Sequence, residues 1–462
     1  MNFDLTNLVI IGGGPGGVAP LLAAHRRGRM AELLEAGVTI VERGDSLGAG
    51  AIGDWCINSD STGFTFADCL AGPHDGELAA LREHPLTKEM GEAAQGTVNL
   101  RRAGEFLGVV GKAVYELVAA SPRGQVLTRH HAISARQTEF GWETLVEYEQ
   151  TGFQRVLKSR NLLLATGAWQ PYERMRKEEV AGVNLVESYG DKLLQSGDVI
   201  SHQGFVDLTA RLAGLGRSPR VVIIGGSTSA ASVACAMLTR MPQVKWGPAG
   251  VTLMHRHELR IYYPTVEAAL QDNYTEFGPD DICPLTGRVF RLAGFRMDSR
   301  ELIMSARGMA GRPPEPRLQL HRLDRDNAAT LALLDQADVI VTCFGYRPRA
   351  LPVLDQQGNR VVLHSETSPH APLVDGACRV MDALGTPLPK LYGMGLAAGF
   401  VPHGKLGGER SFRGQANGLW LWQSDVGAMI VDAVLSPRPT EDYSVTPEEL
   451  SKYYEVGESQ GA

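Results

Sequence analysis

Glycines at a particular spacing let a backbone approach a phosphate closely, and this sequence sets up that chemistry twice. In "LVIIGGGPGGVA" an apolar run from Leu8 to Ile11 leads into Gly12, Gly14 and Gly17. In the pattern G-x-G-x-x-G the first glycine permits a tight turn and the second admits a pyrophosphate. The third lets helix and strand pack closely. Pro15 stands where the helix begins, and the free N–H groups of a helix start attract a diphosphate. The next apolar run, Val38 to Val41, ends in Glu42 and then Arg43. A carboxylate there accepts hydrogen bonds from both ribose hydroxyls and repels a 2′-phosphate, so this unit favours FAD or NAD. The stretch between, "HRRGRMAELLEAG", reads as one extended helix.

The second occurrence is "RVVIIGGSTSAAS", Arg220 to Ser232. Gly225, Ser227 and Ala230 occupy the three glycine positions, with Thr228 and Ser229 opening the helix. Ser227 narrows the approach to a phosphate but brings a hydroxyl donor. The following strand, "VTLM" from Val251, ends in His255 and Arg256 instead of an acid. A basic group there suits a 2′-phosphate, which points to NADPH. A solvated strand end is the plainer reading of Arg256. Two sites of unlike preference in one chain suit hydride transfer from a nicotinamide to a flavin.

Parallel strands with crossover helices must position these turns. "NLLLATGAW" (Asn161 to Trp169) reads as a strand returning to the first unit, with Thr166 and Gly167 beside its ligand. A β-meander from Thr144 feeds it. "DVIVTCFGYRP" (Asp338 to Pro348) is a second strand-then-glycine exit, at Gly345. "KLYGMGLAAGF" (Lys390 to Phe400) brings a third strand to Gly395, and an amphipathic helix is expected from about Gly414. The fold class is α/β with two Rossmann-like dinucleotide-binding domains. The first unit spans 1–215, the second 216–345, and the chain returns to the first over 346–462. Within the second, 275–315 reads as a helical and loop segment, and "RLQLHRL" beyond it as a strand.

The bulk properties remove several classes. Net charge is −7 over 462 residues, and the basic residues are dispersed, so no nucleic-acid surface is expected. The most apolar late stretch, Leu419 to Leu435, contains Gln423, Asp425 and Asp432, so no membrane span is expected. The six cysteines form no C-x-x-C pair, and no secretory signal is read, which implies a cytoplasmic setting. No metal site, G-x-S-x-G or H-E-x-x-H occurs, so no catalytic side chain is assigned. The expected partners are a small-molecule substrate and O2, and the composition is compatible with a homo-oligomer.

The loop after Glu42 runs "RGDSLGAGAIGDWCINSDSTGF". Disulfide reductases of this architecture carry two cysteines five apart here. This loop has Cys56 but Ser61, so dithiol chemistry is not expected and Cys56 reads as a packing residue. Trp55 fits a ring stacked on a flavin or an ordinary core aromatic. Asn58, Asp60, His403 and Arg413 are candidate substrate contacts. Asp60 suits an amine, or merely caps the turn that follows it.

The order G-x-G-x-x-G, "ATGAWQP", second Rossmann turn and "DVIVTCFGYRP" resembles the class B two-dinucleotide flavoprotein monooxygenases. It is most similar to the N-hydroxylating branch that includes lysine and ornithine hydroxylases. The resemblance covers most of the chain, except for Ser227 and the ending "GFVPHGKLGGERSFRGQANGLWLW". It implies a glutathione-reductase-like FAD domain with an inserted NADPH domain. It also implies a mechanism: NADPH reduces FAD, O2 forms a flavin C4a-(hydro)peroxide, and one oxygen passes to a substrate, giving N-hydroxylation of an amine or amino acid. Alternatives on the same fold are a Baeyer–Villiger-type oxygenation or an NAD(P)H-dependent flavin reductase or oxidase. A non-catalytic redox sensor, or an amine oxidase using FAD alone, would fit less of the sequence.

Overall fold

The computed structural model describes residues 5–435 apart from 73–75, 77, 324 and 325. The polar tail after Ser436, expected from its sequence to pack loosely, lies outside the described residues. The chain folds around two sheets with separate apolar cores.

In the larger, ten-stranded sheet the parallel layer places Gly124–Leu127, Val38–Val41, Thr6–Ile11, Phe153–Leu164 and Pro387–Gly393 side by side. Leu8, Val9 and Ile10 are fully buried, as a strand covered on both faces requires. Phe153–Leu164 serves two layers. Its first half pairs antiparallel with Trp142–Tyr148, completing the expected meander, and its second half lies parallel to Thr6–Ile11. Ile11 is thereby in register with both Val41 and Leu164, so three strand ends reach one edge together.

The five-stranded sheet is wholly parallel, in the order Leu193–Gln195, Val339–Thr342, Val221–Ile224, Val251–His255, Leu318–Arg322. Its edge strand starts upstream of residue 216. The chain enters this layer earlier than composition implied, because Leu193–Gln195 pairs with the distant Val339–Thr342.

Two helix expectations need correction. The segment between the first two strands is not one helix. Pro15–Arg26 and Met30–Ala36 are separated at Gly28, whose φ of +62° no ordinary helix contains. The last helix begins at Leu419, not near Gly414, and runs through a π-helical turn at Trp422–Val426 to Val434. Among the described residues no helix is long and apolar enough to cross a membrane.

Candidate functional site

Both glycine turns open into one cleft of about 2340 Å³ between the sheets. A drug-sized ligand fills roughly 300–1,000 Å³, so the cleft has room for more than one such ligand. At the first turn, Gly12 has φ +101°, and a Cβ there would come within 2.2 Å of the Ala165 carbonyl oxygen. Only glycine fits. The counterpart at the second turn is Gly225, at φ +155°, where a Cβ would meet the Cys343 side chain at 2.7 Å. Gly17 packs the first helix so closely that a Cβ would sit 1.7 Å from the Gly12 carbonyl oxygen. Gly17 and Gly225 therefore shape the turns without reaching the cleft wall, which Gly12, Gly14, Pro15, Ser227, Thr228 and Ser229 do.

The helix starts at these turns lack the side-chain cap that several others carry. Asn99, Asn184, Ser201, Thr265 and Asp326 each cap a helix with a side-chain oxygen. Gly14 and Ser227, the N-caps of Pro15–Arg26 and Thr228–Arg240, provide no side-chain cap. Uncapped N–H groups seek an acceptor, and here they face a cleft wide enough for a diphosphate. Ser227 keeps its hydroxyl for a ligand. Both cradles thus fit the dinucleotides implied by the motifs.

At the first strand end, Glu42 lines the cleft. One carboxylate oxygen accepts from Gly13 N and the other from Gly44 N, both at 2.6 Å. The remaining lone pairs are available to ribose hydroxyls. Arg43 is exposed on the same wall. Arg256 does not play the role expected of it. Its guanidinium turns away to Glu178 at 2.8 Å and to the Glu179 carbonyl, outside the cleft lining. The basic groups that line the cleft near this strand end are His257 and Arg260. Arg260 lies over the Phe290 ring at 5.2 Å and has no carboxylate partner among the described residues. A strand predicts where its last residue stands, but not where a long side chain one to five residues later will turn.

Thr166, Gly167, Gly345 and Gly395 all line the cleft. The Thr166 hydroxyl donates to the Arg349 carbonyl, tying the two chain crossings together. Trp55 also lines it, packs against both apolar cores, and stands 6.3 Å from the ring of Tyr346. Tyr346 was missed in the sequence, though it lies inside "FGYRP". Its phenol oxygen is buried without a partner, and burial pushes its pKa up to about 12, so at neutral pH the hydroxyl stays protonated and can donate a hydrogen bond.

The substrate candidates divide. Asp60 is exposed on the cleft wall, and Arg413 reaches the same cleft from the last loop. Asn58 also lines it, but its amide is committed: Nδ2 donates to Asp298 at 2.7 Å and Oδ1 accepts from Arg240. It ties the domains together. His403 does not line the cleft. It packs near the Phe400 ring at 6.1 Å and against Gly376, because the chain turns at Gly404 before Arg413 comes back. Cys56 is half-buried, and burial raises its thiol to about 11, far from the thiolate that redox chemistry needs.

Comparisons with known proteins agree with this architecture. Residues 6–278 match the family model described as pyridine nucleotide-disulphide oxidoreductase. A curated relative from Streptomyces rubellomurinus, CMP-5′-(3-aminopropyl)phosphonate hydroxylase, is 32% identical over 446 residues. The match covers 94% of this chain and 98% of the relative. Among solved structures, the FAD-bound cadaverine monooxygenase of the desferrioxamine pathway from Erwinia amylovora superposes with a TM-score of 0.53 at 10% identity, covering 94% and 97% of the two chains. L-lysine 6-monooxygenase from Pseudomonas syringae gives 0.51 at 14% identity, covering 93% and 99%. At such identities the two structures establish a shared fold. The expected two-Rossmann architecture is borne out.

Proposed function

The chain belongs to the pyridine nucleotide-disulphide oxidoreductase family, and from that premise we propose that it is an FAD-dependent, NADPH-using monooxygenase that N-hydroxylates a primary amine. One observation carries this reading: two uncapped helix starts of unlike surroundings open into a single cleft. Glu42 beside one favours an adenosine without a 2′-phosphate, and the basic His257 and Arg260 near the other favour one with it.

On this reading Gly12, Gly14, Pro15, Glu42, Arg43, Trp55, Thr166, Gly167 and Gly395 hold FAD. Ser227, Thr228, Ser229, Gly345, His257 and Arg260 hold NADPH, with Gly225 setting its turn. The NADPH unit then begins at Leu193 instead of residue 216. Bound together, the cofactors supply a hydride and activate O2, so that one oxygen atom enters the substrate and the other leaves as water. The protein's part is positioning and exclusion of water. Ile52, Trp55, Ile57, Phe66 and Trp422 give the cleft an apolar lining that limits wasteful release of peroxide. Tyr346 offers its hydroxyl proton as a hydrogen bond without ionising.

Nitrogen is the favoured acceptor of oxygen because an unprotonated amine is the strongest nucleophile in such substrates. The relative's name gives it a substrate with an aminopropyl group, which supports the same class here, the named CMP conjugate included. All six cysteines are unpaired, which fits a cytoplasmic setting. The test is NADPH consumption by the purified yellow protein with a panel of primary amines, with mass spectrometry of the products. A hydroxylamine, one oxygen heavier than its amine and formed in step with NADPH loss, is expected. Stoichiometric peroxide with every amine would replace this reading with the oxidase or reductase one.

A further inference from the structure

Segment 279–296 of the second unit and segment 404–416 of the first carry no motif, yet they are bonded to each other. Glu409 is 3% exposed. One of its carboxylate oxygens accepts from the Leu292 N–H at 3.0 Å and from the Ala293 N–H at 2.8 Å. The fully buried Arg291 donates to the Gly407 carbonyl at 2.7 Å, and the Ser411 N–H donates to the Asp280 carbonyl at 2.8 Å. Gly408 lies so close that a Cβ there would come within 2.5 Å of the Leu292 side chain. Phe290, just before, has φ +47°, an uncommon conformation for a bulky residue. Such a backbone persists only where its surroundings hold it. The turn thus offers two successive N–H groups to one acid more than a hundred residues away in sequence.

Position decides what this junction can do. Leu292 and Ala293 line the cleft, and so do Ser411, Phe412 and Gln415 in the segment that carries Glu409. The bonds therefore join two parts of the cleft wall, one from each unit. A second junction joins the units elsewhere. Arg240, at the end of the helix that starts beyond Ser227, donates to the Cys56 carbonyl and to the Asn58 side chain, and Asn58 donates to Asp298. That junction anchors the helix assigned to the NADPH diphosphate. None of the residues bonded in the Glu409 junction is assigned to either cofactor. Hydrogen bonds from backbone N–H groups to a carboxylate are among the strong ones, and here they are shielded from water.

We propose that Glu409 is a positioning residue that holds this cleft wall closed to water and so sets where the oxygen goes. This rests on the amine-hydroxylase reading and adds a residue to it. In the productive reaction NADPH, a proton, O2 and an amine give NADP+, a hydroxylamine and water. In the wasteful one NADPH, a proton and O2 give NADP+ and hydrogen peroxide, and the amine is unchanged. A wall that parts admits water and releases peroxide, which favours the second outcome.

The experiment compares FAD-loaded wild type with Glu409→Ala and with Glu409→Gln, whose amide keeps the shape and one acceptor oxygen. Hydrogen exchange is read by mass spectrometry without NADPH or amine. Exchange over 290–296 and 408–416 should be about tenfold to a hundredfold faster in Glu409→Ala, the worth of a charged hydrogen bond, with Glu409→Gln between. Anaerobic reduction of the flavin at saturating NADPH should keep the wild-type rate, because the Arg240 junction is intact. In air, with an amine that wild type hydroxylates, peroxide formed per NADPH should rise severalfold in Glu409→Ala and less in Glu409→Gln. Should Glu409→Ala not fold, Glu409→Gln against wild type makes the same comparison. Unchanged exchange in both segments overturns the proposal, and so does a wild-type peroxide yield from a loosened variant. Slower flavin reduction in place of peroxide release would assign Glu409 to hydride transfer and overturn it too. Peroxide in step with NADPH from wild type itself, with every amine, is the separate result that overturns the hydroxylase reading and the proposal with it.

Discussion

The two glycine turns are built alike and finished differently. Each follows a buried four-residue apolar run, each needs a glycine where a Cβ would strike the residue just past a neighbouring strand, and each leaves a helix start without a side-chain cap. Beyond the second strand they diverge. Glu42 folds back onto the first turn and is held by two backbone N–H groups within its own unit. Arg256 is drawn out of the cleft by Glu178, and Arg260, resting on Phe290, is left to face it. The lesson is one of reach. A short carboxylate beside a turn is placed by local backbone, whereas a long guanidinium goes to whichever acid the tertiary fold presents.

Substitutions can break this comparison in order of effect. Gly12→Val should be the most damaging, because the new side chain would have to displace the Ala165 carbonyl; the purified variant should be colourless. A yellow Gly12→Val protein would remove FAD from the first turn. Glu42→Ala should come next, weakening FAD about tenfold to a hundredfold as a carboxylate that accepts several hydrogen bonds is lost. Flavin release during dialysis would measure it.

Arg260→Ala should raise the KM for NADPH about tenfold, the scale of one charged contact to a phosphate, and leave NADH alone. The companion Arg256→Ala should leave both nucleotides alone and cost less than about 1 kcal/mol in thermal unfolding, since its ion pair with Glu178 is exposed. If the two arginines exchanged these outcomes, the assignment made from the cleft lining would be wrong. The smallest effect is expected at Cys56. Cys56→Ser should reduce its flavin with NADPH at the wild-type rate. With the thiol raised to about 11, alkylation of Cys56 should be slow at neutral pH and accelerate as pH climbs toward that value. Fast labelling at pH 7 would reopen a redox role.

Much of the cofactor architecture was legible because its determinants are neighbours in sequence. "LVIIGGGPGG" and "VVIIGGSTS" state both a buried strand and the turn after it. The same is true of "NLLLATG", where the strand end and Gly167 lie within a few residues. The site beyond the turns was far less legible. His403 and Arg413 looked equivalent as polar residues in one loop, yet only Arg413 reaches the cleft. Tyr346 sat unremarked within a quoted motif, because nothing in a sequence shows that a hydroxyl will be buried without a partner.

By itself, the sequence determined two Rossmann units, their turns, and the acid that ends the second strand of the first unit. Those follow from β-branched runs, glycine stereochemistry and helix starts, which act over a few residues. Only the tertiary structure decided which arginines face the cleft, where Leu193–Gln195 pairs, and that Glu409 binds the backbone at residues 292 and 293. Those depend on groups far apart along the chain meeting in space, 78 residues apart for Arg256 and Glu178 and more than a hundred for the other two. A carboxylate that must be buried takes the donors the fold brings to it, and local spacing holds no record of that choice.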